Sequence, residues 1–147
     1  MQAGDVLMVC LGNICRSPLA EGIFSHYSQD YTIRVDSAGT ANYHTGAAPD
    51  PRSIAIASEN NIDISAQKAR QFTVKDFQRY DYIYVMDKQN LSNVLRLATT
   101  AQERAKVRLL LDPHEVEDPY YGGDEGFAIV FDKIAKACKE IIAQWKH

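Results

Sequence analysis

Two side chains able to work on phosphorus lie close together near the start of the sequence. They are Cys10 and Arg16, in the run Cys10-Leu11-Gly12-Asn13-Ile14-Cys15-Arg16-Ser17. A loop of this length between a strand end and a helix start gathers consecutive backbone N–H groups around one point, with the positive end of the helix behind them. Such a cradle suits a phosphate dianion. Gly12 and Asn13 tolerate the left-handed backbone that a tight anion nest requires, and Arg16 offers a planar fork for two phosphate oxygens. The same field favours a thiolate at Cys10, because helix N-termini and neighbouring cations bring a cysteine from about 8.5 down to about 3.5–7.5. Ser17 can add a hydroxyl hydrogen bond to that sulfur. A cysteine and an arginine at this spacing also recur by chance, with the thiol merely buried and the guanidinium on the surface. The apolar run before the loop, the Gly-Asn inside it and the Ser-Pro after it weigh toward chemistry.

Breaking a phosphate ester also needs a proton for the departing oxygen, and a carboxylic acid held over the nucleophile supplies one. Asp118 is the candidate, with Pro119 fixing its backbone. An Asp-Pro pair in a loop is ordinarily turn chemistry. The adjoining Tyr120 and Tyr121, which can stack on an aryl group, weigh toward function here. The histidines His26, His44, His114 and His147 share no metal-ligand spacing and read as surface residues, with His44 bordering the cleft. Cys138 falls in the apolar stripe of the last helix and reads as a core thiol.

These residues require a scaffold, and the pattern provides one. Asp5–Cys10 is a short apolar run ending at a Gly-containing turn, which predicts a strand buried on both faces. Ser17 as N-cap and Pro18 as first helical residue predict a helix continued by Ala20, Ile23, Phe24 and Tyr27. A second strand is expected at Thr32–Asp36, ended by Ser37-Ala38-Gly39. A long polar loop from Thr40 to Pro51 follows, and Pro49-Asp50-Pro51 introduces a helix near Ser53–Asn60. Tyr82–Met86 predicts a third strand, Gln89–Leu97 a helix and Val107–Leu111 a fourth strand. The last helix starts near Glu125, with Phe127, Phe131, Ile134, Cys138, Ile141 and Trp145 on one face. Alternating strands and helices predict an α/β fold with a parallel sheet and a ligand site at the carboxyl ends of its strands.

Composition limits the alternatives. The chain has 147 residues, 46% hydrophobic and 24% charged, the profile of a globular chain of one domain. Its net charge of −3 argues against nucleic acid or an anionic membrane as a partner held by bulk charge. No apolar run approaches the roughly 18–20 residues of a membrane span, and the sequence has no secretory-signal pattern. Three cysteines, an odd count, fit thiols in a reducing, cytoplasmic compartment better than a disulfide framework. No repeat or linker divides the sequence, so residues 1–147 are read as one domain.

The block Val9-Cys10-Leu11-Gly12-Asn13-Ile14-Cys15-Arg16-Ser17-Pro18 resembles the signature of the low-molecular-weight protein tyrosine phosphatases. Three further blocks resemble that family in order: Asp36-Ser37-Ala38-Gly39-Thr40, then Tyr82–Asp87 with Asn90-Leu91, then Asp118-Pro119-Tyr120-Tyr121. The resemblance implies a four-stranded parallel sheet with helices on both faces, the phosphate-binding loop between first strand and first helix, and neither metal nor organic cofactor. It implies Cys10 as nucleophile, Arg16 as phosphate clamp and Asp118 as general acid. Leu11, Gly12, Asn13, Ile14, Cys15 and Ser17 would form the loop with Ser37 supporting it, and Tyr43 and Tyr120 would wall the cleft. Where the family often has a histidine behind the loop, this sequence has Gln67; it can both donate and accept, so the loop is expected to survive.

The implied reaction is hydrolysis of phosphotyrosine on protein substrates through a cysteinyl-phosphate, by a monomer. Arsenate reductase, on the same fold, needs a relay of cysteines that the stretch from Cys15 to Cys138 lacks. Protein-arginine phosphatases tend to have threonine where Ile14 stands, and an apolar Ile14 suits an aryl ester better. A non-catalytic phosphopeptide-binding module would need neither nucleophile nor proton donor. Cys15 is expected to capture an oxidised Cys10 as a disulfide, the alternative being an apolar filler under the loop.

Overall fold

In a computed structural model, which describes residues 1–119 and 123–146, the chain alternates strands and helices around one sheet. The elements are β1 (Val6–Cys10), α1 (Arg16–Tyr27), β2 (Val35–Gly39), α2 (Pro51–Glu59), α3 (Asp76–Arg79), β3 (Tyr82–Val85), α4 (Lys88–Leu95), α5 (Ala101–Ala105), β4 (Val107–Leu109) and α6 (Gly123–Ala143). The strands lie in the order β2-β1-β3-β4, and every pairing is parallel. β1 therefore has β2 on one side and β3 on the other, which makes its carboxyl end the point where the winding reverses. Ligands of open α/β sheets bind at such a point.

Every residue of β1 is buried, as its unbroken apolar run requires. Val6, Met8 and Cys10 face a core built with Leu19, Ile23 and Phe24 of α1 and Phe131, Ile134 and Cys138 of α6. Leu7 and Val9 face the opposite core, with Phe72, Phe77 and Val94. Helices thus cover both faces, as expected. Burial of each large apolar side chain contributes roughly 1.5–3 kcal/mol, so β1 is a firm support for the loop that follows it.

The second strand is where the sequence reading departs from the structure. β2 begins at Val35 and includes Ser37-Ala38-Gly39, residues expected to end it. Their partners Met8, Val9 and Cys10 supply a parallel ladder, which outweighs the turn preference of Ser and Gly. Gly39 is required there, because a Cβ would stand 2.7 Å from the carbonyl oxygen of Leu11. The first helix also starts earlier than Ser17. Arg16 is its first residue, Cys15 occupies the cap position without a side-chain cap, and the Ser17 hydroxyl is engaged elsewhere. The fourth strand ends at Leu109 rather than Leu111. α2 starts at Pro51, capped by Asp50, whose carboxylate accepts from the Arg52 N–H at 2.8 Å.

Candidate active site

The carboxyl ends of the strands bring together residues from distant parts of the sequence. Cys10 closes β1, Tyr43 and His44 follow β2, Asp87 follows β3, and Val116 and Asp118 follow β4. Cys10, Leu11, Gly12, Ile14, Cys15, Arg16, Tyr43, His44 and Asp118 line one cavity of about 310 Å³. A larger hollow of about 640 Å³ between β4 and α6 is lined by no cysteine, so the cavity lined by Cys10, Cys15 and Arg16 is the candidate site.

Cys10 is 3% exposed, and its sulfur is held by the loop that it begins. The Asn13 N–H donates to Cys10 Sγ at 3.3 Å, and Ser17 Oγ lies 3.0 Å from the same sulfur. Asn13 has φ +58°, the left-handed conformation that Asn accepts more readily than most residues. Gly12 is not in that region. It provides space: a Cβ there would come within 3.0 Å of the His44 ring. The Asn13 side-chain NH₂ donates to Ser17 Oγ at 2.8 Å and Ser37 Oγ at 2.9 Å, while its oxygen accepts from the Arg70 N–H at 3.0 Å. Ser37 thus supports the loop directly.

Arg16 is nearly buried and tethered at one nitrogen. Its Nη1 donates to Asp87 Oδ2 at 2.7 Å and to the Val116 carbonyl at 2.9 Å. Nε and Nη2 remain for the two-pronged grip that a phosphate accepts. Burial works against the charge, but Cys10, Asp87 and Asp118 outweigh it and hold the guanidinium above its ordinary value. Asp118 lies across the cavity, with Oδ2 3.9 Å from Arg16 Nη2 and about half of its side chain exposed. Asp118 thus lines the same cavity as Cys10 and Arg16.

Residues 5–147 match the family profile described as "Low molecular weight phosphotyrosine protein phosphatase". The human protein of that name is 41% identical over 148 residues, covering 94% of this chain and 93% of its own. This chain belongs to that family. A solved protein tyrosine phosphatase from Entamoeba histolytica, with Hepes in its active site, superposes with a TM-score of 0.90 at 34% identity, covering 97% of this chain and 96% of its own. Vibrio vulnificus Wzb, solved in complex with benzylphosphonate, gives 0.86 at 28% identity, covering 95% and 97%.

Within this low-molecular-weight phosphatase fold, the remaining expected residues divide. Tyr43 borders the cavity and is 73% exposed, and His44 joins it there. Tyr120 and Tyr121 lie outside the described residues, as does His147. Gln67 does not reach the loop: its Nε2 donates to the Pro18 carbonyl in α1 at 3.2 Å, and its buried oxygen has no hydrogen-bond partner. Cys15 is buried at the loop's far end, and burial, with Asp50 and Cys10 adding, pushes its thiol up to about 12. Cys138 is fully buried and its thiol is pushed up by that burial, as a core residue's should be. Sequence reasoning gave no role to Asp87, Val116 or Glu21. Asp87 followed by Asn90 three positions later was the available signal for a helix cap.

Proposed function

We propose that this protein hydrolyses phosphotyrosine on protein substrates through a cysteinyl-phosphate. The observation that carries this is one cavity holding a hydrogen-bonded cysteine, a tethered arginine and a carboxyl group opposite them. Cys10 sulfur attacks phosphorus in line; the S–P bond forms as the P–O(aryl) bond breaks, and Asp118 gives its proton to the departing phenolate. Arg16 and the loop amides hold the equatorial oxygens as charge shifts. Asp118 then takes a proton from water, whose oxygen attacks phosphorus. The S–P bond breaks, inorganic phosphate leaves and the thiolate returns.

A nucleophile only 3% exposed favours a phosphate presented at the end of a long side chain. Ile14 adds an apolar wall and Tyr43 an aromatic one, which suits an aryl ester better than a guanidinium. The test is a side-by-side assay of phosphotyrosine, phosphoserine, phosphoarginine and arsenate. Phosphotyrosine should be turned over fastest by a wide margin, whereas a preference for phosphoarginine would overturn the substrate assignment and leave the nucleophile standing.

The same reading takes residues 1–147 as one phosphatase domain, with Gln67 supporting the loop through its hydrogen bond to α1. It places the protein in the cytoplasm as a monomer, acting on neither nucleic acid nor membrane. The net charge of −3 argues against nucleic acid or an anionic membrane held by bulk charge, and no helix among the described residues is long and apolar enough to cross a membrane. Cys15 has a protective role in this reading. Peroxide converts the Cys10 thiolate to a sulfenic acid with release of hydroxide, and the Cys15 thiol then displaces water to form a disulfide. Loss of the Cys10 charge removes one of the influences that keep Cys15 protonated.

A further inference from the structure

Between α1 and residues 61–67 is a further cavity, of about 350 Å³, which shares no lining residue with the one around Cys10. Glu21 of α1 borders it, with Gln67, His26 and Asp63 among the other lining residues. Ser37 Oγ donates to Glu21 Oε1 at 2.7 Å. A continuous path therefore leads from a carboxyl group at this cavity to the nucleophile: Glu21, Ser37, Asn13, Ser17, Cys10.

Hydrogen counting gives the path a direction. The Asn13 oxygen is occupied by the Arg70 N–H, so its NH₂ must face both serines and donate one hydrogen to each. Ser37, having accepted, passes its own hydrogen to Glu21. Ser17, having accepted, has its own hydrogen for Cys10 sulfur, 3.0 Å away, with the Ala38 carbonyl at 3.5 Å a longer alternative. Asn13 is thus a donor set between two acceptors, one on each side. Its left-handed backbone, φ +58°, accompanies the hydrogen bond from its own N–H to Cys10 Sγ at 3.3 Å.

We propose that Glu21 is a positioning residue for the nucleophile: its carboxylate, acting through Ser37 and Asn13, fixes the donors on Cys10 sulfur, and a proton gained at Glu21 loosens them. A hydrogen bond to an ionised acceptor is roughly twice as strong as one to a neutral acceptor, so protonation weakens the anchor of Ser37 and the hold on the Asn13 amide. The surroundings place this change near neutral pH. Burial pushes the Glu21 carboxyl up to about 7 against the hydrogen bond from Ser37, with Asp36 of β2 adding and Arg70 opposing. Arg70 is itself paired with Asp76 through two bonds of 3.0 Å, and Asp36 accepts from Tyr80 at 2.5 Å. Gln67 is neutral and supplies no charge, while Asp63 and His26 are the other titratable groups at the cavity.

The inference rests on the phosphatase reading and is tested with a readout that does not. In wild type, Glu21→Gln and Ser37→Ala, kcat and KM for p-nitrophenyl phosphate are measured from pH 5.5 to 8.5. The rate of Cys10 alkylation by iodoacetamide, without substrate, is measured over the same range, with Cys10→Ser giving the background. The wild-type to Glu21→Gln ratio of kcat should rise from near one at pH 5.5 to about 3–10 at pH 8, the worth of one hydrogen bond, with KM little changed. The alkylation ratio should change over the same interval. Ser37→Ala should remove the inflection while Glu21 is intact. Ratios constant with pH in both assays, or an inflection surviving in Ser37→Ala, would overturn the proposal. Changing alkylation ratios without any turnover would instead refute the phosphatase reading and leave the positioning role intact.

Discussion

A thiolate that both holds its place in an anion cradle and attacks phosphorus can have the two roles separated by one atom. Cys10→Ser keeps the loop amides and Arg16 but provides a hydroxyl that is not ionised near neutral pH. Turnover should vanish while phosphate binding, measured by calorimetry, persists; Arg16→Ala should lose both. Turnover above a small fraction of wild type in Cys10→Ser would rule out the covalent route. For Asp118→Asn, hydrolysis of phosphotyrosine should slow by about 10²–10⁴, the usual effect of a positioned acid, and aryl esters with very acidic phenols should suffer less. Equal slowing across a series of leaving groups, with phosphoryl transfer to the enzyme limiting, would remove Asp118 from that role. Cys15→Ser should recover less activity than wild type after peroxide and then a thiol reductant, and equal recovery would leave Cys15 as packing. Cys10, Arg16 and Asp118 were candidates in the sequence because of their residue types, and the fold brings all three to one cavity. Glu21 was not, because an acidic residue inside a helix reads as a solvated face until the fold sets β2 and Ser37 against it.

Helix α4 connects capping with catalysis. Asp87 caps it, accepting from the Asn90 N–H at 2.7 Å while Asn90 Oδ1 accepts from the Asp87 N–H at 3.2 Å. The carboxylate's other oxygen receives Arg16. Asp87→Ala therefore removes a cap, worth about 1 kcal/mol, and takes from a buried guanidinium the carboxylate hydrogen-bonded to it. A loss of about 1–3 kcal/mol in urea unfolding is expected, together with weaker inhibition by inorganic phosphate. Asn ranks with Asp as a cap but leaves Arg16 without the charge, so Asp87→Asn should recover the share of the stability due to the cap; equal losses in the two variants would mean that the cap contributes nothing. The unbroken apolar run of β1 and the periodic apolar stripe of α6 were readable from the sequence. β2 was not, because its carboxyl end is held by register with β1 and by the space that Gly39 leaves. The short helices α3 and α5 offer too few turns for a periodic signal. The Ser17-Pro18 start was misplaced because the Ser17 hydroxyl serves the sulfur instead of a helix end.

At the scale of the whole molecule, two carboxyl groups pull stability in opposite directions with pH. Burial works against an ionised Asp50, but hydrogen bonds from Arg52 outweigh it and hold the group below its ordinary 3.8. Its contribution is present above that value and is lost as the pH falls through the lower, folded one. Glu21 behaves conversely. Its folded value, about 7, lies above the ordinary 4.5, so between these values the native state binds more protons than the unfolded chain and unfolding free energy falls as pH rises. At about 1.4 kcal/mol per unit the change is at most about 3 kcal/mol, and water reaching the carboxyl through its cavity reduces it. Wild type should therefore lose stability from pH 4.5 to 7 and level off above, while Glu21→Gln, which cannot ionise, should lack that component of the slope. Urea unfolding of both proteins at half-unit pH intervals isolates Glu21 in the difference between the curves. Parallel curves across this range would mean that the carboxyl titrates at its ordinary value in the folded protein. The native Glu21 would then already be ionised well below neutral pH, and no change in its charge would accompany catalysis there.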